Sequence, residues 1–270
     1  MNIVQSICND LSVIREKRPL VHNITNLVVM NETANAILCL GALPIMSHAK
    51  EEVEEMVGMA GALVLNIGTL TPDWIDAMEL AGKRANEKNI PVILDPVGAG
   101  ATKLRTDSCK RLLENVKISI VRGNAAEVSN LAGLASEIRG VESIGASEVA
   151  GCIAERFTSI HGCTVAITGD VDLVSDGKRT AKIRNGHAML GKVVGTGCMS
   201  SVMVASFAAV NPDPFAAAVG GLTAFGIAGE MAAAVSLDKP GTFHVELYNA
   251  LYALTPSKIR GSAKINIAGF

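Results

Sequence analysis

The sequence is short of aromatic residues and carries no concentrated charge. Aromatic side chains make up 3% of the 270 residues, whereas hydrophobic residues as a whole make up 49%. A β-sandwich normally uses more aromatic side chains, so this composition favours an α/β protein whose parallel strands are buried on both faces. The formal net charge is −2, and the chain has no block of about five like charges. We therefore expect small-molecule partners, with no nucleic acid and no membrane.

The sequence also lacks closely spaced cysteine pairs, and residues 1–10 do not show the pattern of a signal peptide. Six cysteines are scattered without a CxxC pair, which predicts reduced thiols in a cytoplasmic protein rather than a disulfide or zinc framework. Residues 1–10 lack the basic and apolar segments of a signal peptide. Residues 215–235 have the length of a membrane span, but they include Glu230 and four glycines. We predict one or two closely packed buried helices there.

Several nucleotide-binding motifs are missing. The chain contains no GxxxxGK[ST] P-loop, no GxGxxG after a predicted strand and no HRD…DFG set. The usual ATPase folds, Rossmann dehydrogenases and protein kinases are therefore excluded.

What is present is an alternation of short apolar stretches with helical patterns. Strands are predicted from residue 20 and at 42–46, 62–66, 91–95, 118–121 and 164–168. Helix caps are predicted at Gly41, Thr71 and Thr106, and a connection is predicted near 140–147. The alternation is typical of a doubly wound, mostly parallel sheet. An Asp-Gly pair at 176–177 predicts an antiparallel edge hairpin. From Cys198 onward we expect mainly helix, in one domain spanning residues 1–270.

Polar residues follow several of the predicted strands, and in an open α/β sheet ligands bind at that carboxyl edge. These residues are Asn23, Thr25, Asn66, Asp95, Arg122, Asn124, Glu127 and Thr168. Taken singly, Asp95 also fits a helix cap, and Asn124 with Glu127 also fits a capping box. Together, Asp95 and Glu127 offer the carboxylate oxygens that Mg²⁺ prefers. Arg122 beside such a site is suited to phosphoryl transfer.

Residues 195–198 read Gly-Thr-Gly-Cys and enter a run of small apolar residues. Glycines let a backbone approach a ligand closely, so the turn from Gly195 through Thr196 and Gly197 can point N–H groups at an anion. Cys198 would then lie at a helix N-terminus, where the pKa of a thiol falls toward neutrality. Cys198 is thus a candidate base or nucleophile, although buried cysteine also serves as a small hydrophobic residue.

Five segments together resemble the hydroxyethylthiazole kinase family of the ribokinase-like superfamily. They are VHNITN at 21–26, LNIGTL at 65–70, ILDPVGAGA at 93–101, RGNAAE at 122–127 and GTGC at 195–198. The resemblance implies a three-layer α/β/α fold, and ATP- and magnesium-dependent phosphorylation of the hydroxyl of 4-methyl-5-(2-hydroxyethyl)thiazole in thiamine salvage. It also implies a homotrimer with active sites between subunits.

The resemblance further implies roles for individual residues. Met46 and Gly195 would contact the thiazole, with Asn23 and Thr25 nearby, and Arg122 and Thr168 would bind ATP. Asp95 and Glu127 would serve the magnesium and phosphates. Cys198 stands where most of the superfamily has an aspartate base, a departure that the loose transition state of phosphoryl transfer tolerates.

Two other functions fit parts of the same pattern. One is an ATP-dependent dehydratase of a hydrated nicotinamide nucleotide on the same scaffold, against which stands Cys198 in place of the expected aspartate. The other is a catalytically silent nucleotide-binding protein, which would not need Asp95, Glu127, Arg122 and the Gly-x-Gly turn together.

Overall fold

The computed structural model describes residues 2–134 and 146–269. The strands in chain order are β1 (Leu20–Ile24), β2 (Leu43–Ile45), β3 (Ala62–Asn66), β4 (Val92–Asp95), β5 (Ile120–Asn124), β6 (Thr164–Thr168), β7 (Asp172–Ser175), β8 (Arg179–Ile183) and β9 (Ile265–Gly269). The helices are α1 (Ile3–Lys17), α2 (Met30–Leu40), α3 (Val53–Gly58), α4 (Pro72–Glu87), α5 (Lys103–Asn115), α6 (Ala125–Leu131), α7 (Ala146–His161), α8 (Thr196–Ala208), α9 (Pro214–Ser236), α10 (Pro240–Tyr252) and α11 (Pro256–Ser262). A 3-10 helix, Ala188–Lys192, precedes α8.

All of these strands belong to one mixed sheet, in the order β2-β1-β3-β4-β5-β6-β7-β8-β9. The pairs from β2 to β6 are parallel, and those from β6 to β9 are antiparallel. The predicted parallel core and edge hairpin are therefore confirmed. Because β1, β3, β4, β5 and β6 are parallel, their carboxyl ends meet at one edge of the sheet.

Helices cover both faces of the sheet. Side chains from α1, α2, α8, α9 and α10 form one apolar cluster, and those from α3 to α7 form a second. Successive strand residues point to opposite faces, so Val64 belongs to the first cluster while Leu63 and Leu65 belong to the second. This is the predicted three-layer α/β/α arrangement.

The long apolar segment near residue 220 is one helix, α9. Among the described helices it is the one that is long and apolar enough to cross a membrane, and 72% of its most apolar window is buried inside the protein. It packs against α8 and α10. A Cβ at Gly221 would lie 2.6 Å from the backbone of Val204 in α8, so glycine allows these helices their close contact. The predicted burial is confirmed.

The structure corrects one predicted helix cap. Helix α5 is capped by Thr102, whose Oγ1 accepts a hydrogen bond from Arg105 N at 3.3 Å. The predicted cap, Thr106, lies one turn further on, where its hydroxyl donates to Thr102 O at 3.1 Å. Both threonines precede charged residues suited to a helix, so the local pattern did not distinguish them. The connection predicted near 140–147 lies mostly outside the described residues.

Three strands also differ from their predicted extents. The edge strand β2 is half-buried and shorter than predicted, and Met46 follows it. Strand β5 extends to Asn124, so Arg122 lies within the strand rather than beyond it. Strand β9 was not predicted, because its pairing with β8 joins segments about 80 residues apart and depends on tertiary structure alone.

Arg15 connects the ends of two helices and a loop. Its guanidinium donates hydrogen bonds to the carbonyls of Leu40, Leu251, Tyr252 and Leu254 at 3.2, 3.2, 2.9 and 2.6 Å. Carbonyls at a helix C-terminus have no partner within the helix, and one planar guanidinium serves these four. Gly41, the predicted cap glycine of α2, has φ +118° and packs on the Arg15 stem, where a Cβ would lie 2.7 Å from Cγ.

Replacing Arg15 should therefore destabilise the fold. We expect Arg15→Met to lower the free energy of unfolding by about 2 kcal/mol, because it leaves several helix-end carbonyls without donors. Urea unfolding followed by circular dichroism measures the change. Lys17→Met, on the exposed side of the same helix, is the matched control and should change the midpoint little. Equal losses in the two variants would contradict the role of Arg15.

Candidate active site

Most of the polar residues that were predicted to follow the strands lie at the carboxyl edge of the parallel strands. Strand register sets Asn66 of β3 beside Asp95 of β4, and Asn124 of β5 beside Thr168 of β6. The N-terminus of α8 reaches the same edge, since Cys198 Sγ lies 3.2 Å from Asn66 Nδ2. The structure thus brings together segments that are far apart in the chain.

Asp95 is a completely buried carboxylate at the centre of this edge. Its Oδ2 accepts hydrogen bonds from Asn66 Nδ2 and Ser201 Oγ, both at 2.8 Å. Its Oδ1 is buried and has no hydrogen-bond partner in the described structure. Burial raises the pKa of Asp95 to about 6, although Arg122 and Ser201 act in the opposite direction. One carboxylate oxygen therefore accepts no hydrogen bond within the described residues.

Arg122 lies between Asp95 and the end of β6. Its Nη2 donates to Thr168 Oγ1 at 2.6 Å, and its Nη1 lies 3.9 Å from Asp95 Oδ1. A Cβ at Gly197 would lie 3.1 Å from Nη1, so the glycine lets the guanidinium approach the turn before α8. The residue is 9% exposed, and its Nε has no hydrogen-bond partner in the described structure. A buried cation with spare donors is suited to bind phosphate.

The turn that leads into α8 requires glycine at its first position. Gly195 is the N-cap residue with φ +86°, and a Cβ there would lie 2.7 Å from Val29 Cγ1. The hydroxyl of Thr196 donates to Leu190 O at 2.7 Å, which anchors the turn to the 3-10 helix. The first backbone N–H groups of a helix have no partner within it. The turn therefore has the geometry of an anion site.

Cys198 does not have the lowered pKa that its helix position predicts. Burial, reinforced by the charge of Asp95, raises the pKa of its thiol to about 12, although amide donors from Asn66 and Asn26 favour the thiolate. Desolvation disfavours the charged form more strongly here than the helix terminus favours it. The thiol consequently keeps its proton at neutral pH, and the expectation of a near-neutral pKa is wrong.

Glu127 is held in the capping box that the Asn-x-x-Glu spacing also fits. Its Oε2 accepts from Asn124 N at 2.9 Å, and Asn124 Oδ1 accepts from Glu127 N at 2.9 Å. Its Oε1 accepts from Gly98 N at 2.8 Å, which ties the loop after β4 to α6. Each carboxylate oxygen keeps a further lone pair. The negative charge of Glu127 acts on Asp95 and raises its pKa, so the two carboxylates lie within electrostatic reach.

A cavity of about 660 Å³ opens beside Arg122 and Thr168. Polar residues such as Asp172 and His187 line one part, and Leu222 and Phe225 line another. A mixed cavity of this size can hold a nucleotide-sized ligand. Burial raises the pKa of Asp172 to about 6.

The chain was compared with known proteins. A family model described as "Hydroxyethylthiazole kinase family" matches residues 11–257. A hydroxyethylthiazole kinase from Thermoanaerobacter pseudethanolicus is 54% identical over 256 residues, which are 94% of this chain and 97% of that protein. The chain belongs to the hydroxyethylthiazole kinase family. The resemblance in the five sequence segments is thereby confirmed.

Solved structures agree with this membership and with the fold. The structure of a hydroxyethylthiazole kinase protein from Pyrococcus horikoshii has a TM-score of 0.90 and 46% identity, covering 98% of this chain and 99% of that one. A ribokinase-like superfamily protein from Enterococcus faecalis has a TM-score of 0.60 at 11% identity, covering 86% of each chain, and shows the fold alone. The predicted ribokinase-like fold is confirmed.

The donors at the sheet edge suit a hard divalent cation, which a kinase that uses ATP generally needs. The unpaired Asp95 Oδ1 and the Glu127 carboxylate are hard oxygen donors. Among the described residues, no three His, Cys, Asp or Glu side chains cluster to hold a metal ion. A cation there would need further ligands from water and phosphate, as Mg²⁺ usually does.

The predicted substrate residues lie along β1 and after β2. Asn23 is 1% exposed and donates to Val21 O of its own strand at 2.9 Å, while its Oδ1 is buried without a partner in the described structure. Thr25 is buried and Met46 is half-buried. All three lie at the carboxyl ends of their strands, where the site is. Their substrate role stays a prediction.

The sequence pattern did not indicate that Asn26, Ser201 or Asp172 belongs to the site. Ser201 falls three residues after Cys198, on the same face of α8, and this spacing was a usable signal. Asn26 follows the end of β1, and its contact with Asn66 depends on the folding of two loops. Asp172 begins the edge hairpin, and nothing local indicates that it faces Arg122.

Because the Asp95 carboxylate is buried, replacing it with a neutral amide should stabilise the fold by an amount that depends on pH. Because its pKa is about 6 in the fold against an ordinary 3.8, wild-type stability falls as pH rises from the lower value through the higher one. We therefore expect the melting temperature of Asp95→Asn, relative to that of the wild type, to increase as pH rises from about 4 to about 8. The measurement is made without metal and nucleotide. Thermal melts across this range measure the difference. Asp238→Asn, at an exposed position, is the control, and a flat difference for Asp95→Asn would contradict the raised pKa.

Proposed function

We propose that the chain transfers the γ-phosphoryl group of ATP to the hydroxyl of 4-methyl-5-(2-hydroxyethyl)thiazole, in thiamine salvage. The carrying observation is the meeting of Arg122, the Asp95 oxygen that accepts no hydrogen bond, and the α8 turn at one sheet edge. An acidic group, a cation and backbone donors around one point are what phosphoryl transfer needs, because it depends on positioning and charge stabilisation. The family named above supplies the acceptor alcohol.

Each residue has a part that its surroundings support. Arg122 and Thr168 bind the nucleotide phosphates from the cavity beside them. Asp95 and Glu127 would hold Mg²⁺, which would neutralise phosphate charge. Backbone N–H groups of Gly197 and Cys198 stabilise the charge on the transferring group. Met46, Gly195, Asn23 and Thr25 bind the thiazole.

Cys198 contributes less than the turn that carries it. A thiol that keeps its own proton cannot accept the proton of the substrate hydroxyl, so the base contribution that we assign to Cys198 is limited to the small fraction present as thiolate. An aspartate at the same place would accept that proton more readily. A phosphocysteine intermediate is disfavoured for the same reason, since the thiolate and not the thiol is the nucleophile.

One experiment separates the candidate functions. ADP release should require the thiazole alcohol in a coupled assay with ATP and Mg²⁺. ADP release driven instead by a hydrated nicotinamide nucleotide would support the dehydratase, and no ADP release with either compound would support a silent binding protein.

Substitutions at two positions rank the contributions to turnover. Arg122→Ala should lower kcat/KM by about 10²–10³-fold, since it removes a charge that stabilises the transition state. Cys198→Ala should lose only about 10-fold, less than the effect of a full general base, and Cys198→Asp should keep substantial turnover. Steady-state kinetics measures all three. The base-replacement idea fails if Cys198→Ala abolishes turnover and Cys198→Asp does not restore it.

We also propose a homotrimer in which the partner subunit covers the site. Leu27, Val28 and Val194 are 65%, 60% and 68% exposed, and they flank the contact between Val29 and Gly195. Exposed apolar residues grouped at a site are typical of an interface. The continuous sheet supports one kinase domain over residues 1–270, and the six free cysteines support a cytoplasmic location.

The trimer makes a separate prediction. Val28→Glu should lower the mass found by sedimentation equilibrium from three chains toward one, because it buries a charge in the interface. Leu104→Glu, equally apolar and 54% exposed on α5, is the matched control and should remain trimeric. A monomeric wild-type chain with full turnover would contradict this proposal.

A further inference from the structure

Asn66 lies at the end of β3 and uses all of its polar atoms. Asn66 is buried, with 2% of its surface exposed. Its Oδ1 accepts from Asn26 Nδ2 at 2.8 Å and from Gly68 N at 3.0 Å. Its Nδ2 donates to Asp95 Oδ2 at 2.8 Å and to Cys198 Sγ at 3.2 Å. An amide has two N–H donors and two acceptor lone pairs, so no polar capacity of Asn66 is left over.

The orientation of this amide is determined by its neighbours. The backbone N–H of Gly68 can only donate, and the ionised Asp95 carboxylate can only accept. The oxygen of Asn66 must therefore face Gly68 and its nitrogen must face Asp95. An aspartate at this position would keep the first contact but would set a second negative charge against Asp95. A leucine would remove both contacts.

The four partners of Asn66 come from four separate segments. Asn26 follows β1, Gly68 follows β3, Asp95 ends β4, and Cys198 lies in the first turn of α8. The packing is close, since a Cβ at Gly68 would lie 2.6 Å from Asn26 Nδ2. A single side chain therefore links the acidic group of the site to the anion-binding turn.

We propose that Asn66 is a positioning residue for phosphoryl transfer, which sets the Asp95 carboxylate and the α8 turn at their working separation. This inference rests on the proposed function, which supplies the reaction. Asn66 makes no hydrogen bond to Arg122 or Thr168 within the described structure, so it acts through Asp95 and the α8 turn rather than through the proposed ATP contacts. Its hydrogen-bond partners include Asp95 and Cys198, two groups of the proposed site, so its role is one of positioning.

The first test separates kcat from KM. Asn66→Ala should lower kcat by about 10- to 100-fold, the usual loss when an outer partner of a metal-binding group is removed. The KM for the thiazole alcohol should stay within about 2-fold, because the proposed thiazole contacts are retained. Asn66→Ser, which is too short to reach Asp95 and Cys198 together, should behave in the same way if Asn66→Ala does not fold.

Asn211 provides a matched control. Its Nδ2 also donates to a carboxylate, Asp10 Oδ2 at 2.7 Å, but it lies at the opposite edge of the sheet, beside Ala60 and Pro91. Asn211→Ala should lose stability and leave kcat within about 2-fold. Equal kcat losses in Asn66→Ala and Asn211→Ala would overturn the positioning role.

A double-mutant cycle tests whether Asn66 acts through Asp95. Hydrogen bonds to a charged group are stronger than those to a neutral one. In an Asp95→Asn background, Asn66→Ala should therefore cost less than about 5-fold in kcat. A merely structural role would give the same factor in both backgrounds, and that outcome would contradict the proposal.

A binding measurement separates this proposal from the proposed function. Calorimetry gives the affinity for ATP with and without Mg²⁺, and it needs no acceptor alcohol. The gain in affinity from Mg²⁺ should fall by about 10-fold in Asn66→Ala and stay unchanged in Asn211→Ala. If that gain falls while the wild-type chain does not phosphorylate the thiazole alcohol, the proposed function is wrong and the positioning role stands. If the wild-type chain turns over but neither the gain nor kcat changes in Asn66→Ala, the positioning role is wrong.

Discussion

The site depends on a carboxylate that the fold keeps out of water. Asp95 is 0% exposed and only one of its oxygens has hydrogen-bond partners. An isolated buried charge is costly, so a fold retains one where nearby groups compensate or where a ligand uses it. Asn66, Ser201 and Arg122 supply part of that compensation. The unpaired oxygen is the part left for chemistry.

The neighbouring elements are arranged around this charge. The parallel order of β3, β4 and β5 puts Asn66, Asp95 and Arg122 at one edge. Gly195 allows α8 to begin there, and Gly197 allows its first turn to approach the Arg122 guanidinium. Buried polar groups with complete hydrogen bonds are rigid, and a rigid edge can stabilise charge without reorganising during the reaction. The glycines of this turn therefore allow close packing against neighbouring side chains, in addition to the backbone conformation that Gly195 adopts.

The same burial explains why the cysteine is a weak candidate base. A helix N-terminus lowers a thiol pKa, but a carboxylate nearby and the loss of water raise it. At Cys198 the second influence is larger. Within the site the thiol is one of the acceptors that fix the Asn66 amide, and it reinforces the arrangement more than it takes part in proton transfer.

Much of the fold and part of the site could be predicted from the sequence alone. The alternation of apolar strands with capped helices is a local property, so it indicated the parallel core and the polar strand ends at Asn66, Asp95 and Thr168. The Asp-Gly pair at 176–177, also a local signal, indicated the edge hairpin. The five segments that resemble the kinase family are equally local. The capping box of Asn124 and Glu127 was also readable, because both of its members lie within one turn.

Tertiary structure decided the rest, because burial and long-range contacts have no local signature. The pKa of Cys198 depends on how α8 is packed, and the pairing of β9 with β8 depends on where the chain end returns. The links that Asn66 makes to Asn26, Asp95 and Cys198 span up to 132 residues of sequence. Local sequence pattern was enough to predict the polar residues that end strands, such as Asn66, Asp95 and Thr168, because strand ends follow from that pattern. Only the fold determined how far each group is buried, and burial controls which of them carries charge.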